Sequence, residues 1–186
     1  VARFLNINQC FARIFDPNKP DSEWHRLSGI RSDATEWVAG DVSKKSELVD
    51  AIRDCQGVIN LAGLLTPQCS QNPVRGAEVN LIGAINVFEG ALKHGLKKVA
   101  YTSSIGVYGP DHAEFPEPTT HYGSFKLASE GVARAFYEEH GISSLGVRPF
   151  VVYGPGREIG GSAGPSIAYR MAAQGQAYQI LFTGLT

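Results

Sequence analysis

Cysteine is scarce in this chain. Only Cys10, Cys55 and Cys69 occur in 186 residues. Their number is odd and no Cys-x-x-C spacing is present, which excludes a disulfide framework and a paired-cysteine zinc site and fits reduced thiols in a cytoplasmic protein. The histidines, His25, His94, His112, His121 and His140, are scattered and offer no metal cluster. No apolar run approaches the ~20 residues that cross a bilayer, and the first residues carry no signal-peptide pattern. No basic run exists and the formal net charge is -1, which argues against a nucleic-acid or polyanion partner. The expectation is a cytoplasmic protein with no membrane partner, no nucleic acid and no metal.

What is present is ordinary for a globular domain. With 43% hydrophobic and 19% charged residues, the chain can build one substantial core but not two full ones. Strand-like and helix-like segments alternate. Strands are expected at 10–15, 36–38, 57–63, 98–103 and 144–153. Helices are expected from Ser43, as a cap, to about Cys55, from Pro73 to about His94, and from Tyr122 to His140, closed by Gly141. Residues 111–120, with Pro116 and Pro118, read as a loop. This alternation predicts an α/β fold, a doubly wound parallel sheet of Rossmann type with right-handed crossovers. In such a sheet ligands collect at the carboxyl ends of the strands. Polar and glycine residues follow the apolar runs there: Asp16, Asp41, Asn60 to Gly63, Ser103-Ser104 and Tyr153-Gly154.

Tyr122 and Lys126 add a chemistry. A tyrosine is a poor base while its pKa stays near ~10. A lysine four residues later lies one helical turn along on the same face, where its charge favours the ionised phenol. A serine hydroxyl from the Ser103-Ser104 pair can hold a substrate oxygen while the proton moves. The spacing alone also fits an amphipathic helix with a half-buried tyrosine and a solvated lysine.

Seven ordered motifs separate these alternatives: Phe-Asp16, Gly40-Asp41-Val42, Asn60-Leu-Ala-Gly63, Glu78-Val-Asn80-Leu-Ile-Gly83, Tyr101-Thr-Ser-Ser-Ile-Gly-Val-Tyr-Gly109, Tyr122-Gly-Ser-Phe-Lys126 and Arg148-Pro-Phe-Val-Val-Tyr-Gly-Pro-Gly156. With these the chain resembles the extended short-chain dehydrogenases/reductases, the NAD-dependent epimerase/dehydratase group, over nearly its whole length. The resemblance implies a Rossmann-type NAD(P)-binding domain over 1–150 and the start of a substrate-binding region over 151–186. It implies NAD as cofactor, with Asp16 on the adenine-ribose hydroxyls, where its charge repels a 2′-phosphate. Asp41 and Val42 would flank the adenine. Leu61, Ala62 and Gly63 would run beside the pyrophosphate and ribose, and Asn80 would be a structural or cofactor-side residue. Pro149 and Val152 would lie against the nicotinamide. Ser104 matches the catalytic serine position better than Ser103, Tyr122 the acid/base, and Lys126 the residue that also binds the nicotinamide ribose. A homodimer through the helices near 73–94 and 122–140 is implied too, with Val79, Ile82, Ile85, Phe88 and Ala91 on a buried face that an intramolecular core would equally explain.

Departures from the family pattern narrow these expectations. The G-x-x-G-x-x-G pyrophosphate loop is absent, and Val1 to Asn8 resembles the end of the helix that follows it. Gly154, Gly156 and Gly160 fall too late to replace that loop and resemble a substrate-side segment. The sequence is therefore expected to be a fragment lacking the first strand and the C-terminal part, and to bind NAD weakly by itself. The acidic pair that family dehydratases place after the threonine is replaced by Ser103-Ser104, which leaves epimerisation or dehydrogenation at a secondary alcohol. Val151 stands where many nucleotide-sugar enzymes carry asparagine, although Arg157 and Arg170 could serve as phosphate binders. The substrate stays open between a sugar or nucleotide-sugar and a sugar acid, polyol or sterol-like alcohol. A non-catalytic NAD-binding or regulatory protein is the remaining alternative.

Overall fold

The computed structural model describes residues 1–19, 29–110, 114–154, 157 and 163–180. Among the described residues, five parallel strands form two hydrogen-bonded groups. In one, β1 (Ala12–Asp16) pairs with β2 (Thr35–Ala39); in the other, β4 (Lys98–Thr102) lies between β3 (Val58–Asn60) and β5 (Ser143–Val147). α1 (Ala2–Ile7) precedes β1 and α7 (Gly164–Ala173) follows β5. Between the strands, as parallel pairing requires, run α2 (Lys45–Ile52) from β2 to β3, α3 (Thr66–Gln71), α4 (Pro73–Ala77) and α5 (Gly83–Lys93) from β3 to β4, and α6 (His121–His140) from β4 to β5. No described helix is long and apolar enough to cross a membrane.

The ladder breaks between β1 and β3. A cavity of about 1460 Å³ occupies the break, lined by β1 on one side and by β3 and the residues just after it on the other.

Several element boundaries differ from expectation for local reasons. Ser43 does not cap α2. Its hydroxyl bonds the Asp41 carboxylate at 2.8 Å, and the helix starts at Lys45 without a side-chain cap. The long helix expected from Pro73 is interrupted by a π turn over Glu78–Ile82, a feature that gathers at functional sites. The last strand stops at Val147, two residues before Pro149, which has no N–H for a ladder. α3 was not anticipated. α6, by contrast, keeps the expected bounds to within one residue. Thr120 Oγ1 accepts from the Gly123 amide at 3.0 Å, and Gly141 closes the helix at φ 65°, where glycine is free of Cβ strain.

The core sits between the β3-β4-β5 group and helices α2, α5 and α6. Phe88 is at its centre, stacked on Phe136 with ring centroids 5.2 Å apart and edge-on to Tyr101 at 6.1 Å. Phe88, Val87, Val107 and Ile142 are almost wholly buried, each contributing about 1.5–3 kcal/mol relative to exposure. Of the residues assigned to a buried helix face, Val79, Phe88 and Ala91 belong to this intramolecular core, whereas Ile82 is exposed.

Candidate active site

The Tyr-x-x-x-Lys pair is carried on the first two turns of α6. Lys126 is buried, with 4% of its surface exposed. Its ammonium donates to the Thr102 carbonyl at the end of β4 at 2.8 Å and lies 5.7 Å from the Tyr122 ring centroid. Burial pulls its pKa down to about 8, since a desolvated ammonium is disfavoured.

The serines after β4 have separate fates. Ser103 is buried and donates to Glu130 Oε1 at 2.5 Å. Ser104 caps the short 3₁₀ turn Ile105–Val107, its oxygen accepting from the Gly106 amide at 3.0 Å. Gly106 is where Ser104 and Tyr122 meet. A β-carbon on Gly106 would stand 3.3 Å from Ser104 Oγ and 3.6 Å from Tyr122 Cδ1. Ser104, Tyr122 and Lys126 therefore converge at the carboxyl end of β4, with Ser104 the serine next to the tyrosine.

The residues expected on the cofactor side fall into two groups. Asp16, Val42, Leu61 and Ala62 all line the cavity between β1 and β3. Asp16 is exposed at the end of β1, with Oδ1 accepting from the Asn18 amide at 2.9 Å. Burial raises the Asp41 carboxyl, but bonds from the Ser43 amide, the Arg75 guanidinium and the Ser43 hydroxyl outweigh it and hold the group below its ordinary value. Val42 is buried, its side chain packed under Gly83. Leu61 is exposed, and the Ala62 amide is turned onto Asn60 Oδ1 at 3.1 Å.

The second group lies toward Lys126. Asn80, in the π turn, is buried. Its amide nitrogen faces the Leu64 and Gly76 carbonyls and the Cys69 sulfur, while Oδ1 is buried with no hydrogen-bond partner. A β-carbon on Gly63 would come 2.7 Å from that oxygen and 3.4 Å from Lys126 Nζ. Glycine is thus needed for the close approach, and an unsatisfied acceptor and a buried amine flank one backbone edge. Pro149 is half-buried and accepts from the Ile105 amide at 3.2 Å, while Val152 is exposed beyond β5.

Sequence reasoning gave no role to Arg75, Glu130, Arg148 or Tyr108. Arg75 holds Asp41. Arg148 forks onto Glu130, with Nε 2.8 Å from Oε1 and Nη2 2.6 Å from Oε2, and its third nitrogen donates to the Tyr108 hydroxyl. Glu130 was findable, because it follows Lys126 by four residues on the same helical face. Gly156 and Gly160 lie outside the described residues. Among the described residues, no group of three or more His, Cys, Asp or Glu stands where it could hold a metal ion.

The sequence profile of the NAD dependent epimerase/dehydratase family matches residues 8–185. The chain is 30% identical over 135 residues to an NAD-dependent glucose-6-phosphate dehydrogenase of Haloferax volcanii, covering 62% of this chain and 51% of that protein. It is 32% identical over 122 residues to the N-acetyl-alpha-D-glucosaminyl-diphospho-ditrans,octacis-undecaprenol 4-epimerase of Escherichia coli, covering 62% and 37%. The structure of UDP-glucose 4-epimerase from Thermotoga maritima superposes with a TM-score of 0.80 at 22% identity, over 93% of this chain and 58% of that one. The chain thus spans about half or less of the length of these curated relatives, and the likeness to the epimerase structure speaks for the Rossmann-type fold.

Proposed function

Because the chain belongs to the NAD dependent epimerase/dehydratase family, we propose that its protein uses NAD to move hydride at a secondary alcohol of a sugar or nucleotide-sugar. The observation that carries this reading is the convergence of Ser104 and Tyr122 on Gly106, with buried Lys126 one turn behind. The Ser104 hydroxyl, whose oxygen already accepts from Gly106, donates its proton to the substrate oxygen and fixes it. Tyr122 takes the proton of the alcohol, and the Lys126 cation favours the phenolate that accepts it. NAD, when bound, supplies the hydride acceptor.

The residues present fit such a cofactor. The unsatisfied Asn80 oxygen beside Gly63 and the exposed Asp16 carboxylate suit a ribose- and amide-bearing ligand. Asp16 and Asp41 would hold the adenosine end, with Val42 beside it. Leu61, Ala62 and Gly63 would border the middle. Asn80, Lys126, Pro149 and Val152 would face the nicotinamide end. Relatives named as a dehydrogenase and an epimerase of sugars support the substrate class.

The same reading takes residues 1–150 as the NAD-binding unit and 151–186 as the start of the substrate region. It places the protein in the cytoplasm, with Cys10, Cys55 and Cys69 free, as a homodimer in which exposed Ile82, Leu92 and Tyr137 are candidates for the contact. Sedimentation of a Tyr137→Glu variant as a monomer would support that contact.

The test of the chemistry is NADH appearance from the full-length protein with sugar acids, polyols and UDP-sugars, beside a Tyr122→Phe control. NADH that disappears in the control supports a dehydrogenase and names its substrate class. Inversion of a UDP-sugar with bound NAD and no net NADH supports an epimerase. Bound NAD with neither result supports a non-catalytic role and overturns the proposal.

A further inference from the structure

Ser103 and Ser104 are chemically equal neighbours, and something must decide which of them meets the alcohol. Ser104 is extended, at φ -164° and ψ 153°, so successive side chains at this point turn to opposite sides. Fixing one hydroxyl therefore directs the other. Ser103 is fixed by Glu130, and Glu130 by Arg148.

The guanidinium does more than hold one carboxylate. Two of its nitrogens grip both Glu130 oxygens, and the third donates to the Tyr108 hydroxyl, with the Tyr108 ring centroid 5.0 Å from the guanidinium carbon. Ser103 and Tyr108 are the two ends of the segment that carries Ser104, and both are tied to this single ion pair. The backbone repeats the attachment. The Ser103 amide donates to the Val147 carbonyl at 2.7 Å and the Ile105 amide to the Pro149 carbonyl at 3.2 Å, on either side of Arg148. Glu130 also rides on the face of α6 that carries Tyr122 and Lys126, eight and four residues earlier. One rigid helix thus carries the tyrosine and the anchor of the serine segment.

We infer that Arg148 is the positioning residue of this site: through Glu130 and Tyr108 it fixes the 103–108 segment so that Ser104, and not Ser103, faces Tyr122. This rests on the reading of Ser104, Tyr122 and Lys126 given above. Arginine is required because three acceptors lie around one planar fork, a geometry that a lysine ammonium cannot reproduce.

The test uses the full-length protein with Arg148→Lys and Arg148→Ala, beside Tyr122→Phe. For Arg148→Lys, kcat is expected to fall about 30- to 100-fold, as for a misplaced reacting group, with KM changed less than about twofold because no substrate contact is removed. Without substrate or cofactor, the amides of Ile105, Val107 and Tyr108 should exchange with solvent at least about tenfold faster, and those of β3 should not. Millimolar guanidinium should restore part of the lost rate in Arg148→Ala. Arg148→Lys with kcat within about twofold of the parent, or with unchanged exchange at 105–108, overturns the inference. If Arg148→Ala does not fold, Arg148→Lys and its exchange rates decide alone. Activity that survives Tyr122→Phe overturns the chemical reading instead, and exchange at 105–108 still reports on the tie.

Discussion

Gly123 abuts Gly106 so closely that a β-carbon on Gly123 would lie 2.0 Å from the Gly106 carbonyl oxygen. Helix α6 therefore docks on the serine segment through bare backbone. That contact sets the separation of Tyr122, next to Gly123, from Ser104, two residues before Gly106.

Gly123→Ala is the first prediction. The backbone oxygen cannot move aside as a flexible side chain can, so α6 or the 103–108 segment must retreat. Overpacking of this kind costs about 1–3 kcal/mol, and a displacement near 1 Å in a reacting group costs about 100-fold in rate. Thermal unfolding and kcat measured on the same preparation check both effects. A variant with unchanged midpoint and rate would show that the contact sets nothing.

The two serines should fail in different ways. Ser104→Ala removes the donor beside Tyr122 and the acceptor of the Gly106 amide, so kcat should fall about 100-fold or more with a stability loss of only about 1 kcal/mol. Ser103→Ala removes one of the bonds to Glu130, whose carboxyl is held low first by the Arg148 bond and then by Ser103 against the effect of burial. It should cost about 1 kcal/mol of stability and less than tenfold in kcat, since Arg148 keeps its grip. Equal kinetic losses in the two variants would contradict the division of roles.

How far the sequence foretold this depends on whether a feature is local. The close of α6 at Gly141 is a signal adjacent to the element it bounds, and it was legible; the Thr120 cap, read as the last residue of a loop, was not. The placing of Lys126 beside Tyr122 was legible too, because one helical turn fixes their relation. The end of β4 and its serines followed from strand-to-loop punctuation. What was hidden depends on contacts between distant segments. Arg75 meets Asp41 from 34 positions away, and Arg148 meets Tyr108 from 40. The π turn at Glu78–Ile82 was invisible because its residues fit an ordinary helix. Ser43 was misassigned as a cap because both roles use the same hydroxyl, and Asp41, two residues back, competes for it.

Lys126 gives a prediction about pH. Its folded pKa, about 8, lies below the ordinary lysine value of 10.5. A group whose folded pKa is depressed binds fewer protons when folded, so stability should rise with pH between about 8 and 10.5 and be lowest below about 8. The difference corresponds to about 3 kcal/mol between the two limits. Lys126→Met should abolish activity and remove that rise. Denaturant unfolding of both proteins at pH 7, 8, 9 and 10 checks it, because other groups that titrate there cancel in the difference. Parallel curves would mean that the ammonium is not desolvated in solution.

If the adenosine ribose lies at the end of β1, as proposed above, Asp16 is the residue expected to choose between cofactors. Its Oδ1 is occupied by the Asn18 amide, which fixes the carboxylate at the end of β1, while the residue as a whole is open to solvent. A fixed, exposed negative charge can accept from two ribose hydroxyls and repels a 2′-phosphate at the same place. Asp16→Ser keeps a short side chain able to accept from Asn18 but removes the charge. The ratio of kcat/KM for NAD over NADP in the full-length protein should therefore fall at least about tenfold, partly through better use of NADP. Loss of NAD activity alone, with NADP still rejected, would assign the discrimination to other residues. An unchanged ratio would place the ribose away from β1 altogether, and the cavity between β1 and β3 would then need another occupant.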